Sequence, residues 1–193
     1  MPVKLGPLRI PWLKSKDDED PYWQFFLSEL PGDRRNSTID MIRRAPEGAI
    51  NPVKAELHSP EITAGHIKEF ANYLLAISCG IIDLSKQPEE IAQGYRYGIL
   101  CVVPSEVDTK TYEGVGGQAG VQRSLYVTFI IAAYIRELGI RATAKPEPAA
   151  ERLAALAGLG TLNEAGQLVV PKYGTRVHVS DLIRTDIPLA ADG

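Results

Sequence analysis

The alternation of apolar and polar positions divides the chain into segments of different character. Ser59, Pro60 and Glu61 form a helix start, with a capping hydroxyl, proline at the first helical position and an acid in the first turn. Ile62, His66, Phe70, Tyr73, Leu74 and Ile77 then recur at helical spacing, and Gly80 is the expected stop. Ile81, Ile82 and Leu84 read as a short strand, followed by a short polar helix from Pro88 to Gln93. The run YRYGILCVVPSE has a continuous apolar centre, which predicts a strand covered on both faces. A glycine-rich loop, Gly114 to Gly120, leads into QRSLYVTFIIAAYIRELG, a helix apolar nearly all round and so expected to be central and buried, with Gly139 ending it. A strand IRATAK, an Ala-rich helix opened by Pro146 and Pro148, a strand QLVVP and a strand RVHVSDLI complete the pattern. This mixture predicts an α+β domain around a central sheet.

The first 58 residues differ in character. Residues 1–16 are Pro-rich and basic and read as an extended arm, with Trp12 and Trp23 placed to clamp the region onto the body or onto a second subunit. Four acidic residues before Pro21 open an aromatic helix, YWQFFLSEL. From Pro31 to His58 the chain is polar without a clear period, a long loop or a docking segment. The expected organisation is therefore an arm and docking segment over 1–58 and an α+β domain over 59–193.

Composition narrows the classes of function. The chain has 193 residues, is 45% hydrophobic, and carries a net charge of −3. Neither nucleic acid nor an anionic membrane is suggested by that balance. Two cysteines, Cys79 and Cys101, are too few for the four thiolates of an iron–sulfur cluster or for a zinc site built of four cysteines. Both sit in apolar runs and are expected as reduced, buried thiols. The start of the chain lacks the apolar core of a signal peptide and no apolar run is long enough to span a bilayer, so a cytoplasmic protein is expected. His58, His66 and His178 show no metal-ligand spacing, and His66 is expected in the core.

The stretch AAERLAALAGLGTLNEAGQLVVPKYGTRVHVSDLIRTDIPL concentrates the candidate chemistry. Gly158 and Gly160 allow the backbone to reverse and leave N–H groups bare. Tyr173 and Gly174 form a second tight turn after Pro171, and Arg176 and His178 share one face of the strand that follows. Two glycine turns flanking one strand make a backbone-lined ledge suited to a large planar or anionic ligand. The alternative is a connecting loop and hairpin without a ligand. Gly114 to Gly120, with Arg123 nearby, could line a cofactor tail or be a plain loop.

In this order, AGLG, a Leu-Val strand ending in Pro, YG, a basic strand and TD-x-PL resemble the corrinoid-binding domain of respiratory reductive dehalogenases, a pattern shared with epoxyqueuosine reductase. YRYGILCVVPSEVD and YIRELGIRA extend the resemblance to roughly residues 66–189. It implies a nitroreductase-like fold and base-off cobalamin held by Ala157, Gly158, Leu159, Gly160, Thr161, Leu162, Pro171, Tyr173, Gly174 and Arg176. By the same resemblance Lys145 and His178 fall where dehalogenases place catalytic polar partners. The position of their proton-donating tyrosine is Val121 here, with Tyr112 and Tyr126 out of register. Glu147 stands near the place of the aspartate used by epoxyqueuosine reductase, in a motif that does not match. The family continues after TD-x-PL with a ferredoxin-like module bearing two clusters, whereas only AADG follows Leu189. The resemblance thus implies a cluster-free corrinoid protein that binds or presents the cofactor, with any reductase activity dependent on a ferredoxin or flavodoxin. Two other readings stand beside it. One is an FMN-binding relative of the nitroreductase fold, a possible homodimer, with Arg34, Arg35, Arg43 and Arg44 for the phosphate. The other is a degenerate scaffold without a cofactor.

Overall fold

The computed structural model describes residues 37–105 and 119–192. The expectations for the arm, Trp12, Trp23, the aromatic helix after Pro21, Arg34, Arg35, Tyr112 and Gly114–Gly117 lie outside these residues. The elements are α1 (Ser37–Arg44), α2 (Pro60–Tyr73), β1 (Ser78–Asp83), a 3-10 turn (Leu84–Lys86), α3 (Glu89–Ala92), β2 (Tyr97–Pro104), α4 (Ala119–Glu137), β3 (Ala142–Lys145), α5 (Ala150–Leu156), β4 (Thr161–Leu162), β5 (Leu168–Val169), β6 (Val177–Val179) and β7 (Leu182–Thr185). The class is α+β, with every strand pair among the described residues antiparallel. β2 is central. β1 lies on one side of it, and both β6 and β7 lie on the other, with β3 beyond β7. β4 and β5 form a separate hairpin.

The apolar run of β2 explains this arrangement. Ile99, Cys101 and Val103 point into a core shared with α2 and α4. Leu100 and Val102 point the other way, into a core shared with α5, β5 and β6. Burying each large aliphatic side chain contributes about 1.5–3 kcal/mol, so a strand apolar on both faces anchors two layers at once.

The expected single strand RVHVSDLI is split in two. Ser180 N–H donates to the Cys101 carbonyl at 2.9 Å, and Cys101 N–H donates to Ser180 Oγ at 3.0 Å. A side-chain oxygen thus replaces a backbone carbonyl in the ladder. The resulting bulge re-aims the next residue, Asp181, toward α1.

Ser59 caps α2, accepting from Ile62 N–H at 3.4 Å. The helix ends earlier than expected. Leu75 adopts a left-handed conformation, φ 71°, and Gly80 lies inside β1, where a Cβ would sit 2.7 Å from Ala157 Cβ. Gly80 is therefore a packing glycine and not a helix stop. The buried stripe of α2 is Thr63, Ala64, Ile67 and Ala71. Small residues let the helix lie close to the sheet, and the larger Ile62 and Tyr73 are exposed. His66 is exposed as well and not in the core, its ring edge-on to His58 at 5.4 Å.

Two more differences concern helices. α1 forms inside the polar stretch before His58, anchored by Ile39, which is 2% exposed. α4 is buried along one side only, leaving Tyr126, Phe129 and Tyr134 exposed. Gly139 ends its last turn as expected, at φ 77°, where a Cβ would meet Val53 O at 2.7 Å. Asn51 and Ala55 N–H groups donate to the Arg136 and Leu138 carbonyls at that end. No helix among the described residues is long and apolar enough to cross a membrane.

Candidate functional site

The first glycine turn is built by the end of α5. Gly158 N–H and Leu159 N–H donate to the Ala155 and Ala154 carbonyls, each at 3.0 Å, with Gly158 left-handed at φ 74°. The chain then passes tightly beneath β5, because a Cβ on Gly160 would lie 2.5 Å from Val169 O. Asn163 closes the β4–β5 hairpin, its Oδ1 accepting from Ala165 and Gln167 N–H at 3.0 and 2.9 Å. The second turn returns at once. Gly174 N–H donates to Val170 O at 2.8 Å, with Lys172 and Gly174 both left-handed.

Between the two turns lies a cleft of about 590 Å3 lined by Gly158, Leu159, Gly160, Thr161, Pro171 and Gly174, together with Val169, Val170 and Lys172. Six of the ten residues expected to hold a cofactor thus come together. The other four do not line it. Ala157 is buried against Gly80. Leu162 is exposed on the hairpin, and Arg176 is exposed on the strand's approach. Tyr173 lines a larger apolar cleft with Leu75, Ile77 and Tyr126. The ledge suits the corrinoid implied by the resemblance in two respects. Gly158 and Gly174 have open space where a Cβ would stand, so a flat ring can approach the backbone. Lys172 is the one charged residue among the described residues of the lining.

A polar cleft of about 410 Å3 lies elsewhere, between α1, α5 and the β6–β7 bulge. Arg43 grips Asp181 with both arms, Nη2 to Oδ1 at 3.0 Å and Nε to Oδ2 at 3.3 Å. Glu147 Oε2 accepts from Arg184 Nη2 at 2.7 Å, and Arg184 Nε donates to Ile91 O at 2.6 Å. Arg184 is fully buried, and burial pushes its guanidinium down despite the Glu147 carboxylate. Its Nη1 has no hydrogen-bond partner among the described residues. Glu151 accepts from Leu168 N–H and so ties this cleft to the ledge hairpin.

The two candidate catalytic residues are placed on either side of the Arg43–Asp181 pair. His178 lines the polar cleft with Val121, Glu147, Glu151 and Asp181. Burial pushes its imidazole below the usual histidine range, opposed in part by the carboxylates of Asp181 and Glu151. Lys145 faces a small, partly open cavity bordered by Arg43, Arg136 and Asp181, and its Nζ pairs with Glu47 at 3.0 Å. Burial alone would raise the Glu47 carboxyl, but the Thr143 hydroxyl and Lys145 outweigh it and hold it below the usual range. Val121 brings no hydroxyl to the cleft, and a Cβ on Gly120 would meet His178 Cβ at 3.0 Å. Glu47, Glu151, Asp181 and Arg184 are residues of this region that the sequence pattern does not single out. An acid inside an apolar strand, VSDLI, is the available signal for Asp181. Among the described residues no three His, Cys, Asp or Glu side chains are grouped to hold a metal ion.

No protein-family model matches the chain, and no curated protein matches it. Solved structures do. The catabolic reductive dehalogenase NpRdhA superposes with a TM-score of 0.68 at 22% identity, over 82% of this chain and 24% of its own. A reductive dehalogenase whose structure suggests a mechanism for B12-dependent dehalogenation superposes with a TM-score of 0.68 at 23% identity, over 98% of this chain and 27% of its own. An epoxyqueuosine reductase bound to a tRNA stem loop reaches a TM-score of 0.49 at 14% identity, too distant to assign a shared fold. The chain has the fold of the reductive dehalogenases, over a stretch about a quarter of their length.

Proposed function

We propose that this chain is a corrinoid-binding domain of reductive-dehalogenase type, which binds base-off cobalamin across the ledge between its two glycine turns. The observation that carries the reading is the convergence of Gly158–Thr161 and Pro171–Gly174 on one cleft. The fold shared with a B12-dependent dehalogenase supports it. Backbone at the two open glycines would meet the ring, and the Lys172 ammonium would meet its polar periphery. When bound, the corrinoid supplies a redox-active cobalt centre. The chain's own side chains hold a polar cleft, tied to the ledge hairpin through Glu151, in which burial favours the neutral form of His178. Asp181, fixed by Arg43, holds a negative charge beside it. Reduction at the cobalt centre requires an electron donor, of ferredoxin or flavodoxin type.

An anaerobic titration with cobalamin, followed by visible absorption, tests this reading. A shift to the base-off spectrum with micromolar or tighter binding is expected. An unchanged cobalamin spectrum at saturating protein would overturn it. A yellow chromophore retained after FMN loading would then favour a flavin protein of the same fold.

A further inference from the structure

We propose that Cys79 and Cys101 are a redox-active dithiol that closes to a cross-strand disulfide, making the β1–β2 pair a site of reversible covalent modification. The two residues are directly opposite in the antiparallel register. Both point into the same core, beneath α2 and α4. Ser180 occupies the backbone N–H and C=O of Cys101 from the β6–β7 side. Backbone groups of one strand residue point the same way, so Cys79 and Cys101 form a non-hydrogen-bonded pair. In such a pair the Cα atoms stand about 4.5 Å apart, closer than in the alternate pairs, and disulfides form at separations of about 4.4–6.8 Å. The two sulfhydryls stand near enough for Cys79 to influence the Cys101 thiol. The neighbouring pairs Ser78–Val102 and Gly80–Leu100 face the other layer and bring no second thiol.

The environment distinguishes the two thiols. β1 is the edge strand of the sheet, and Cys79 retains 8% exposure against none for Cys101. The neighbouring Cys79, together with burial, pushes the Cys101 thiol up, which keeps it protonated at neutral pH and slow to meet a free oxidant. Cys79 is therefore the sulfur that meets an oxidant first. With a peroxide, the Cys79 thiol takes one oxygen to give a sulfenic acid, and the first water leaves. The Cys101 sulfur then attacks the Cys79 sulfur, the S–S bond forms, and the sulfenic oxygen departs as a second water. Two thiols lose two protons and two electrons, and the peroxide gains them. The bond would tie the sheet edge to its centre. On the opposite face of β1, Gly80 packs against Ala157 and Leu159, so the cross-link would brace the wall under the first glycine turn. The proposal does not depend on what the ledge binds.

Folded protein treated with hydrogen peroxide, then alkylated in denaturant and weighed, tests it. The expected product is monomeric, lacks both alkylatable thiols, is lighter than the reduced chain by two hydrogen atoms, and yields a peptide joining Cys79 to Cys101. Dithiothreitol restores both thiols, and the oxidised form has the higher thermal midpoint. Cys79→Ala and Cys101→Ala each abolish the two-hydrogen loss. Two thiols still alkylatable after treatment, an oxygen adduct on Cys79 with Cys101 free, or a disulfide between chains would each overturn the proposal.

Discussion

The ledge and the polar cleft are built by different means. The ledge is made of backbone. Gly158, Gly160 and Gly174 allow two reversals within seventeen residues of chain, and the lining is close in sequence. The polar cleft is made of side chains from α1, α4, α5 and the β6–β7 bulge, held by two ion pairs whose partners lie 138 and 37 residues apart. A surface formed by local conformation is specified by a few glycines. One formed by long-range pairing exists only after the fold has closed. Substitutions in the two regions should therefore fail differently, the first through shape and the second through uncompensated charge.

The largest effect is expected in the polar cleft. Glu147→Ala leaves Arg184 buried without its partner, at a cost of about 3–5 kcal/mol in denaturant unfolding. A loss under about 1 kcal/mol would mean that Arg184 escapes to water and that the pair is not part of the frame. Gly160→Ala is next, at about 1–3 kcal/mol, because the carbonyl it meets at 2.5 Å belongs to the β5 backbone and cannot rotate away. It should also abolish cobalamin binding, whereas Glu147→Ala, where it folds, should not. Gly158→Ala meets no neighbour but keeps a left-handed conformation, so about 1–2 kcal/mol is expected from strain alone. A measured cost near that of Gly160→Ala would show that the two glycines share one constraint. Arg43→Ala removes a part-exposed partner of Asp181, and about 1 kcal/mol is expected.

The smallest effect is a slope with pH. His178 has a lowered value in the folded state, so the unfolded chain takes up its proton first as pH falls. Its contribution is complete above the usual histidine value of about 6.5 and is lost progressively below it. Glu47 is also held low, and its contribution falls away further down, through the carboxylate range. Stability measured between pH 7 and 5 should decline in the native chain and decline less in His178→Gln. Equal slopes in the two proteins would show that His178 does not control that window.

What can be read from the sequence follows the same division. GILCVV identifies β2 and its two covered faces because an uninterrupted apolar run admits few other environments. AGLG and YG identify the ledge because left-handed turns demand glycine. The helical phase of α2 misleads, since its core contacts use Ala64 and Ala71 while larger Ile62 and Tyr73 face water. Propensity carries little about such close packing. α1 is hidden because a short, mostly polar segment anchored by Ile39 has no stable period of its own. Asp181 and Glu47 cannot be paired with Arg43 and Lys145 in advance, because nothing local connects them.

In the proposed function the backbone ledge, and not the polar cleft, is the corrinoid surface. Cobalamin titration of the native chain beside Gly158→Leu and Asp181→Asn tests it most directly. A base-off shift in the native chain and in Asp181→Asn, lost in a folded Gly158→Leu, is the result expected. The same shift in all three proteins, or a loss confined to Asp181→Asn, would contradict it.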